Sequence, residues 1–280
     1  FMSGPYVAGQ LPATKKSHIK GLEVVLPEDP KFAEGYAKEV YEFGKNFGMS
    51  RFVVDGEGEG SYDPQTGIYS NKTTRLTVKD LFTLSGEVEL GGLTKERVDA
   101  LNNTPLIMAA ISFQTSPDMI LGDMSFNKLN LKLEDQGLTN RILAYVAAET
   151  SKDMGEGQTV SVEDTRQIFL LGIKSGMDIR GREVLANPEV LTKALVDFYT
   201  NPKSLELKIA AQPPFGFKSF LASGGDVNKV LDSLNISVDA NGEESPALKF
   251  AIDTASGSQD DSSYYDEDDD LDDESEDELE

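Results

Sequence analysis

The segment FTLSGEVEL (82–90) alternates without interruption: Phe82, Leu84, Val88 and Leu90 share one parity, and Thr83, Ser85, Glu87 and Glu89 share the other. Successive side chains of a β-strand point to opposite faces, so this pattern predicts a strand with one dry side and one wet side. The same period runs through LNLKLE (129–134), LELKI (205–209), LNISVD (234–239) and, more briefly, RLTVK (75–79). Strands of a parallel sheet, covered on both faces, read instead as continuous apolar runs, so repeated alternation points to an antiparallel sheet covered on one side.

A harder case is DGEGEG (55–60), where acids alternate with glycines. As a calcium loop it would place Asp55, Glu57, Glu59 and Gly60 at positions 1, 3, 5 and 6, but position 12, which should be a bidentate Glu, is Thr66. As a strand it places Phe52, Val54, Gly56, Gly58, Gly60 and Tyr62 on one face, and Asp55, Glu57 and Glu59 on the other with water. The glycines would then leave a trough open to close approach by a helix or another backbone. YDPQTGIY would follow as a hairpin, with Asp63 starting the turn, Pro64 fixing φ and Gly67 supplying the left-handed residue. The strand accounts for more residues, and no metal site is expected.

Helices are marked by their ends. Asp29-Pro30 opens a stretch with Phe32, Tyr36, Val40, Phe43 and Phe47 on one face and Gly48 closing it; Asn187-Pro188 opens another with Leu191, Ala194, Leu195 and Phe198. Ser161 and Asp164 have capping-box spacing, and Asp226 opens a shorter helix. VELGGLTKERVDAL (88–101) and KLEDQGLTNRILAYV (132–146) echo each other as strand, Gly-Leu-Thr, then helix, with Thr94 and Thr139 as expected caps and Arg97 and Arg141 as structural pins. The resulting expectation is an α+β protein with a twisted antiparallel sheet and helices packed on one face. Residues 1–16 would be a flexible N-terminal segment, 17–253 the α+β domain, and 254–280 a disordered acidic tail.

Charge supports this division. Of the net −23, residues 260–280 contribute 14 acids and no bases, and the rest carries 35 acids against 26 bases. Neither part offers the basic surface that phosphate binding needs, so no nucleic-acid partner is expected. The tail suits spacing and solubility, or collection of divalent cations or a basic partner. Cysteine is absent, removing thiol chemistry and disulfides. The longest apolar runs, PLIMAAISF and ILAYVAA, fall short of a membrane span. The first residue is Phe1, which suggests a signal or anchor removed upstream and, through it, membrane association.

Catalytic constellations are sparse. His18, the one histidine, lies among Lys15, Lys16 and Lys20 in a stretch best read as solvated. No nucleophile elbow, P-loop or dinucleotide fingerprint accompanies it. Glu134-Asp135 and Glu163-Asp164 fall at a strand end and a helix start, where acids help satisfy free N–H groups, and the chain has no Trp to form a sugar platform. We therefore expect no catalytic residue and no cofactor. PPFGF (213–217) with Phe220 and Leu221 is the most apolar loop-like segment. It reads either as a core plug or as the lip of an apolar groove formed by Phe215, Phe217, Phe220 and Leu221.

The segments SYDPQTGIYS, LFTLSGEVELGGL and LEDQGLTNRILAYVAAE, spanning about 50–150, resemble those of bacterial extracytoplasmic β-rich envelope proteins of the broadly AsmA-like kind. The resemblance implies a place in the periplasm or on the extracytoplasmic face of the inner membrane, an N-terminal anchor, and no catalytic residues to transfer. The expected function is a non-enzymatic binding or structural role in the envelope, with an apolar ligand or a protein as partner. The alternatives are a soluble carrier of lipid-like molecules and an acid-based hydrolase.

Overall fold

In the computed structural model, the described residues are 14–26, 41, 44–45, 48–95, 122–154, 158–222 and 227–251. Seven antiparallel strands form one sheet in sequence order: β1 (Thr14–Val25), β2 (Arg51–Asp63), β3 (Ile68–Val78), β4 (Phe82–Gly91), β5 (Ser125–Asp135), β6 (Ser204–Gly216) and β7 (Leu234–Ala240). The helices are α1 (Leu138–Asp153), α2 (Val162–Gly176), α3 (Pro188–Thr200), α4 (Phe217–Ala222) and α5 (Val227–Ser233). A π-helical turn, Met177–Gly181, and a last turn, Arg182–Val184, extend α2. The protein is thus α+β, and every alternating segment is a strand.

DGEGEG lies within β2, paired to β1 through Ile19↔Gly56 and Ser17↔Gly58 and to β3 through Glu57↔Arg75. Among the described residues, the trough left by the glycines is taken up by neighbouring side chains. A Cβ on Gly58 would lie 2.8 Å from the Ser17 hydroxyl, and one on Gly60 would lie 3.1 Å from that of Tyr69. The hairpin forms as expected. Asp63 accepts from the Gln65 N–H and the Thr66 hydroxyl, each at 2.9 Å, and Gly67 sits at φ +68°. These two hydrogen bonds, the Gln65 N–H first, hold the Asp63 carboxyl below the usual carboxylate range.

Residues directly opposite in an antiparallel ladder share a face, which sorts the sheet into two chemistries. One face carries Leu76, Leu84, Leu133, Leu205 and Ala240 in a row from β3 to β7, with Leu131, Leu207 and Val238 beside it. The other carries Lys128 paired to Glu87 at 2.9 Å and Lys208 paired to Asp239 at 2.7 Å. α3 lies on the apolar face. Its Ala194 and Phe198 form a core with Leu185, Val238, Ala240 and Leu248, against which Leu133, Leu205 and Leu207 pack.

The helical layer is tied together by Arg166 of α2. Its guanidinium donates to the Tyr199 carbonyl at the end of α3 and, at 2.7 Å, to Asn140 of α1. α2 starts with the expected capping box, in which Ser161 and Asp164 satisfy each other's backbone N–H groups. α1 starts differently from expectation. Thr139 is not the cap; Asp135, four residues earlier, accepts from the Gly137 N–H and from both the N–H and hydroxyl of Thr139. A carboxylate at the strand end reaches three donors, whereas the Thr139 side chain, already inside the first turn, is itself a donor. Asn187 likewise does not cap α3 through its side chain. It accepts from the Lys249 N–H at 2.6 Å and donates to the Ala247 carbonyl at 2.9 Å, fastening the segment that follows β7.

Two boundaries differ from the sequence reading. Thr14–Lys16, expected within a flexible segment, are the first residues of β1, because their backbone pairs with Gly60 and its neighbours. β6 continues through Pro213 and Pro214 to Gly216, since a register shift opposite Asn127 lets the strand carry prolines at a bulge. The helix expected from Pro30 lies mostly outside the described residues. Its end is described: Gly48 N–H donates to Lys45 O and Met49 N–H to Gly44 O, the paired hydrogen bonds of a Schellman close. Arg97, Asp226 and residues 254–280 lie outside the described residues.

Candidate functional site

Three separate clusters border the apolar face of the sheet. Leu26, Phe52 and Leu81, joined by Tyr41, Val54, Val78, Phe82 and Leu138, close one end over β2–β4. Tyr62 and Leu93, joined by Tyr69, Leu90 and Met124, close the other end. The α3 core closes the β5–β7 side. Between them runs a strip that nothing among the described residues covers: Ile19 and Leu22 of β1, Leu76 of β3, Leu84 of β4 and Leu131 of β5, between 37% and 53% exposed. Ile19, Gly56, Leu76 and Leu84 lie directly opposite one another in sequence across four strands. The strip is therefore continuous, and Gly56 makes it shallowest at β2.

Four register shifts turn this strip into a larger feature. Shifts in the β2–β3, β3–β4, β4–β5 and β5–β6 pairings bring Tyr62, Tyr69, Leu90, Phe126 and Phe215 into one row of opposed residues. Each shift inserts residues on one strand and restores the apolar parity beyond it. Phe215 then meets the two other aromatics singled out from sequence. Its ring centroid is 6.1 Å from Phe217, edge on, and 6.1 Å from Phe220. All three are half-buried, and the Leu221 side chain lies outside the described residues. The segment is part of a strand and the short helix α4, not a free loop, and it forms an aromatic corner at the end of the apolar face. The alternation of the sequence puts Leu76, Leu84 and Leu131 on a dry side and gives no reading for Ile19 and Leu22, so the strip emerges only from the structure.

The carboxylates of β2 point elsewhere. Asp55 accepts from the Gly21 N–H at 2.6 Å, filling the bulge that β1 makes there; Glu59 pairs with Lys16 at 3.2 Å, and Glu57 lies 4.0 Å from Arg75. These are cross-strand partners on the polar side. No group of three or more His, Asp or Glu among the described residues is placed to hold a metal ion. His18 is exposed on β1 opposite Glu57.

A concavity lies on the helical layer. A cleft of about 600 Å³ between the end of α2 and α3 is lined by both signs of charge, among them Lys174, Arg182, Lys193, Asp178 and Asp197. Most of that charge is internally paired: Lys193 lies 2.6 Å from Asp197 and 3.2 Å from Glu243, and Arg182 lies 3.6 Å from Asp178. Hydrogen bonds to Asp197 and then Glu243 push the Lys193 ammonium above the usual lysine range. The cleft is thus a network of mutual ion pairs open to solvent. No helix among the described residues is long and apolar enough to cross a membrane.

The architecture is that of an α+β protein whose antiparallel sheet is apolar on one face and ion-paired on the other. Residues 75–241 match a family described as "Uncharacterized protein"; the match covers more than half of the chain, which belongs to that family. It runs from the middle of β3 to the residue after β7, so the α3 core side and the aromatic corner lie within it and β1 and β2 precede it. No curated protein matches the chain.

Proposed function

We propose that the chain is a non-enzymatic binding protein of a bacterial cell envelope that takes an apolar, lipid-like ligand along the bare strip of its sheet, with Phe215, Phe217 and Phe220 at the end of that path. One observation carries the reading: Ile19, Leu76, Leu84 and Leu131 remain exposed on a face whose three borders are packed. Exposed apolar surface of this continuity marks a binding region. An apolar small molecule fits it better than a folded partner. From β1 to β5 the strip crosses four inter-strand steps of about 4.8 Å and is only one or two side chains long on each strand, too small for the roughly 800 Å² that a stable protein interface buries on each side.

The envelope location rests on the likeness of 50–150 to AsmA-like proteins. The periplasm or the extracytoplasmic face of the inner membrane is the corresponding place, where acyl chains are at hand.

The test is titration of delipidated full-length protein with a fluorescent fatty acid. Saturable binding is expected, weakened at least about tenfold, or about 1.4 kcal/mol, by Leu84→Lys or Leu131→Lys and untouched by Ser85→Lys on the opposite face. Absence of saturable binding, or equal loss in all three variants, would sink the proposal. Turnover of ester substrates abolished by changing one carboxylate would establish the hydrolase instead.

A further inference from the structure

The face that carries the bare strip is not apolar throughout. Lys15, Ser17 and Ile19 of β1 pair with Gly60, Gly58 and Gly56 of β2, so Lys15 and Ser17 stand on the same face as the strip, next to its first residue. Lys16 and His18 stand on the other face, where Lys16 meets Glu59 at 3.2 Å. Lys15 has no ion-pair or hydrogen-bond partner among the described residues. The register gives the reason: no carboxylate occupies a paired position of this face from β1 to β4. Two hydroxyls flank the ammonium. That of Ser17 lies 2.8 Å from the place a Cβ on Gly58 would take, and that of Tyr69 lies 3.1 Å from the same place on Gly60, the residue opposite Lys15. A side chain at either glycine would displace the hydroxyl above it. Neither hydroxyl has a hydrogen-bond partner among the described residues. The two glycines, about 7 Å apart along β2, thus form a floor bordered by one cation and two neutral donors.

We propose that the ligand of the strip is a single-chain anionic amphiphile of the fatty-acid type, its carboxylate held by Lys15, Ser17 and Tyr69 over Gly58 and Gly60 and its chain lying on the strip. This rests on the reading of the strip as a binding path and adds which end of the ligand lies where. Charge selects the headgroup. An ammonium and two hydroxyls are all donors that a carboxylate can accept from, and a hydrogen bond between charged partners is stronger than a neutral one. A cationic headgroup would meet Lys15 as a like charge, and a neutral lipid would leave the ammonium unused. Width selects the chain number, because the strip offers one or two side chains on each strand. A few polar groups placed at one end of an apolar path are what fixes the orientation of a bound amphiphile. The aromatic corner of Phe215, Phe217 and Phe220 lies toward the opposite edge of the sheet, on β6 and α4, so the carboxylate sits at the β1 side and the chain points toward the corner.

The test is displacement of a neutral dye, phenylnaphthylamine, from delipidated full-length protein by dodecanoate and by dodecanol, which share a chain and differ in charge. Lys15→Met is expected to weaken dodecanoate about fivefold, the scale of a solvent-exposed ion pair, and to leave dodecanol unchanged. Lys15→Arg should keep the affinity for dodecanoate. Lys16→Met removes the same charge from the same strand on the opposite face and should alter neither competitor. A lysine that only guards an exposed sheet edge against pairing with other chains would leave dodecanoate as tight in Lys15→Met as before. That result, an equal loss in Lys15→Met and Lys16→Met, or a loss shared by dodecanol would overturn the headgroup assignment while the strip stays a binding path. A dye that does not bind saturably, or that neither competitor displaces, would remove the strip itself as a binding path, and the headgroup assignment with it.

Discussion

The Tyr62 hydroxyl donates a 2.6 Å hydrogen bond to the carbonyl oxygen of Leu93, 31 residues away. Tyr62 ends the dry parity of β2, and Leu93 follows β4, so one side chain ties the glycine-rich strand to the turn two strands further on. Leu93 is also fixed through its N–H, which donates to Gly67 O at 2.9 Å in the β2–β3 turn. Both residues are buried. Tyr62→Phe keeps the ring and removes a hydrogen bond to a buried carbonyl, a loss of about 0.5–1.5 kcal/mol. Urea denaturation of the two proteins measures it, and coincident curves would mean that water replaces the hydroxyl.

Gly92, which leaves β4, is irreplaceable on two independent grounds. Its φ is +74°, a conformation that costs any residue with a Cβ. The added Cβ would also stand 1.9 Å from the Asp123 carbonyl oxygen, which belongs to the backbone of the returning chain. Gly92→Ala should therefore destabilise by more than about 1 kcal/mol, read as a lower midpoint in thermal unfolding. An unchanged midpoint would show that the β4 exit and the chain before β5 are not held this closely.

Gly92 also shows how far the sequence carries. In the two echoed units, Gly-Leu-Thr was legible as strand exit, buried leucine and helix start, and both leucines do pack into cores, Leu93 beside Tyr62 and Leu138 beside Leu81. The glycine positions follow from backbone sterics, which act locally and therefore leave a local signature. What sets the cap of α1 is the Asp135 side chain, whose reach depends on where β5 stops. β1 left no signal because an edge strand exposed along almost its whole length has no dry parity to read. The aromatic row from Tyr62 to Phe215 depends on four register shifts, and register is a property of pairs of strands. The bare strip on the apolar face was hidden for a related reason: alternation shows which face is dry, not how far the covering layer extends.

The capping box of α2 makes a prediction about acid. Hydrogen bonds from the Ser161 hydroxyl and then the Ser161 N–H hold the Asp164 carboxyl below the usual carboxylate range. A lowered folded pKa gives stability that is present above the unfolded pKa, about 3.9, and disappears as pH falls through the folded value. Asp164→Asn should therefore flatten the acid limb of the stability profile, with its largest effect above pH about 4. Ser161→Ala removes the other half and should cost about 1 kcal/mol near neutral pH. Guanidinium melts across the acid range test both, and an acid limb with the same slope in Asp164→Asn would refute the assignment.

On the polar face the opposite sign applies. Lys208 reaches the nearly buried Asp239 at 2.7 Å, and that hydrogen bond is the largest cause lifting its ammonium above the usual lysine range. A raised folded pKa contributes stability in full below the unfolded value of about 10.4 and loses it as pH climbs through the folded value. Asp239 keeps one partner when the ammonium is gone, the Ser245 N–H at 2.8 Å. Because the Lys208 side chain is 41% exposed, solvent screens part of the pair. Lys208→Met should then cost about 1–2 kcal/mol at neutral pH, below the value for a fully buried pair. Near pH about 11 the same substitution should cost less, because the wild-type lysine is itself losing its charge. Paired denaturation curves at the two pH values decide the matter: a difference that grows with pH would mean that the substituted side chain fails for want of packing, and that the charge on Lys208 contributes little to joining β6 to β7.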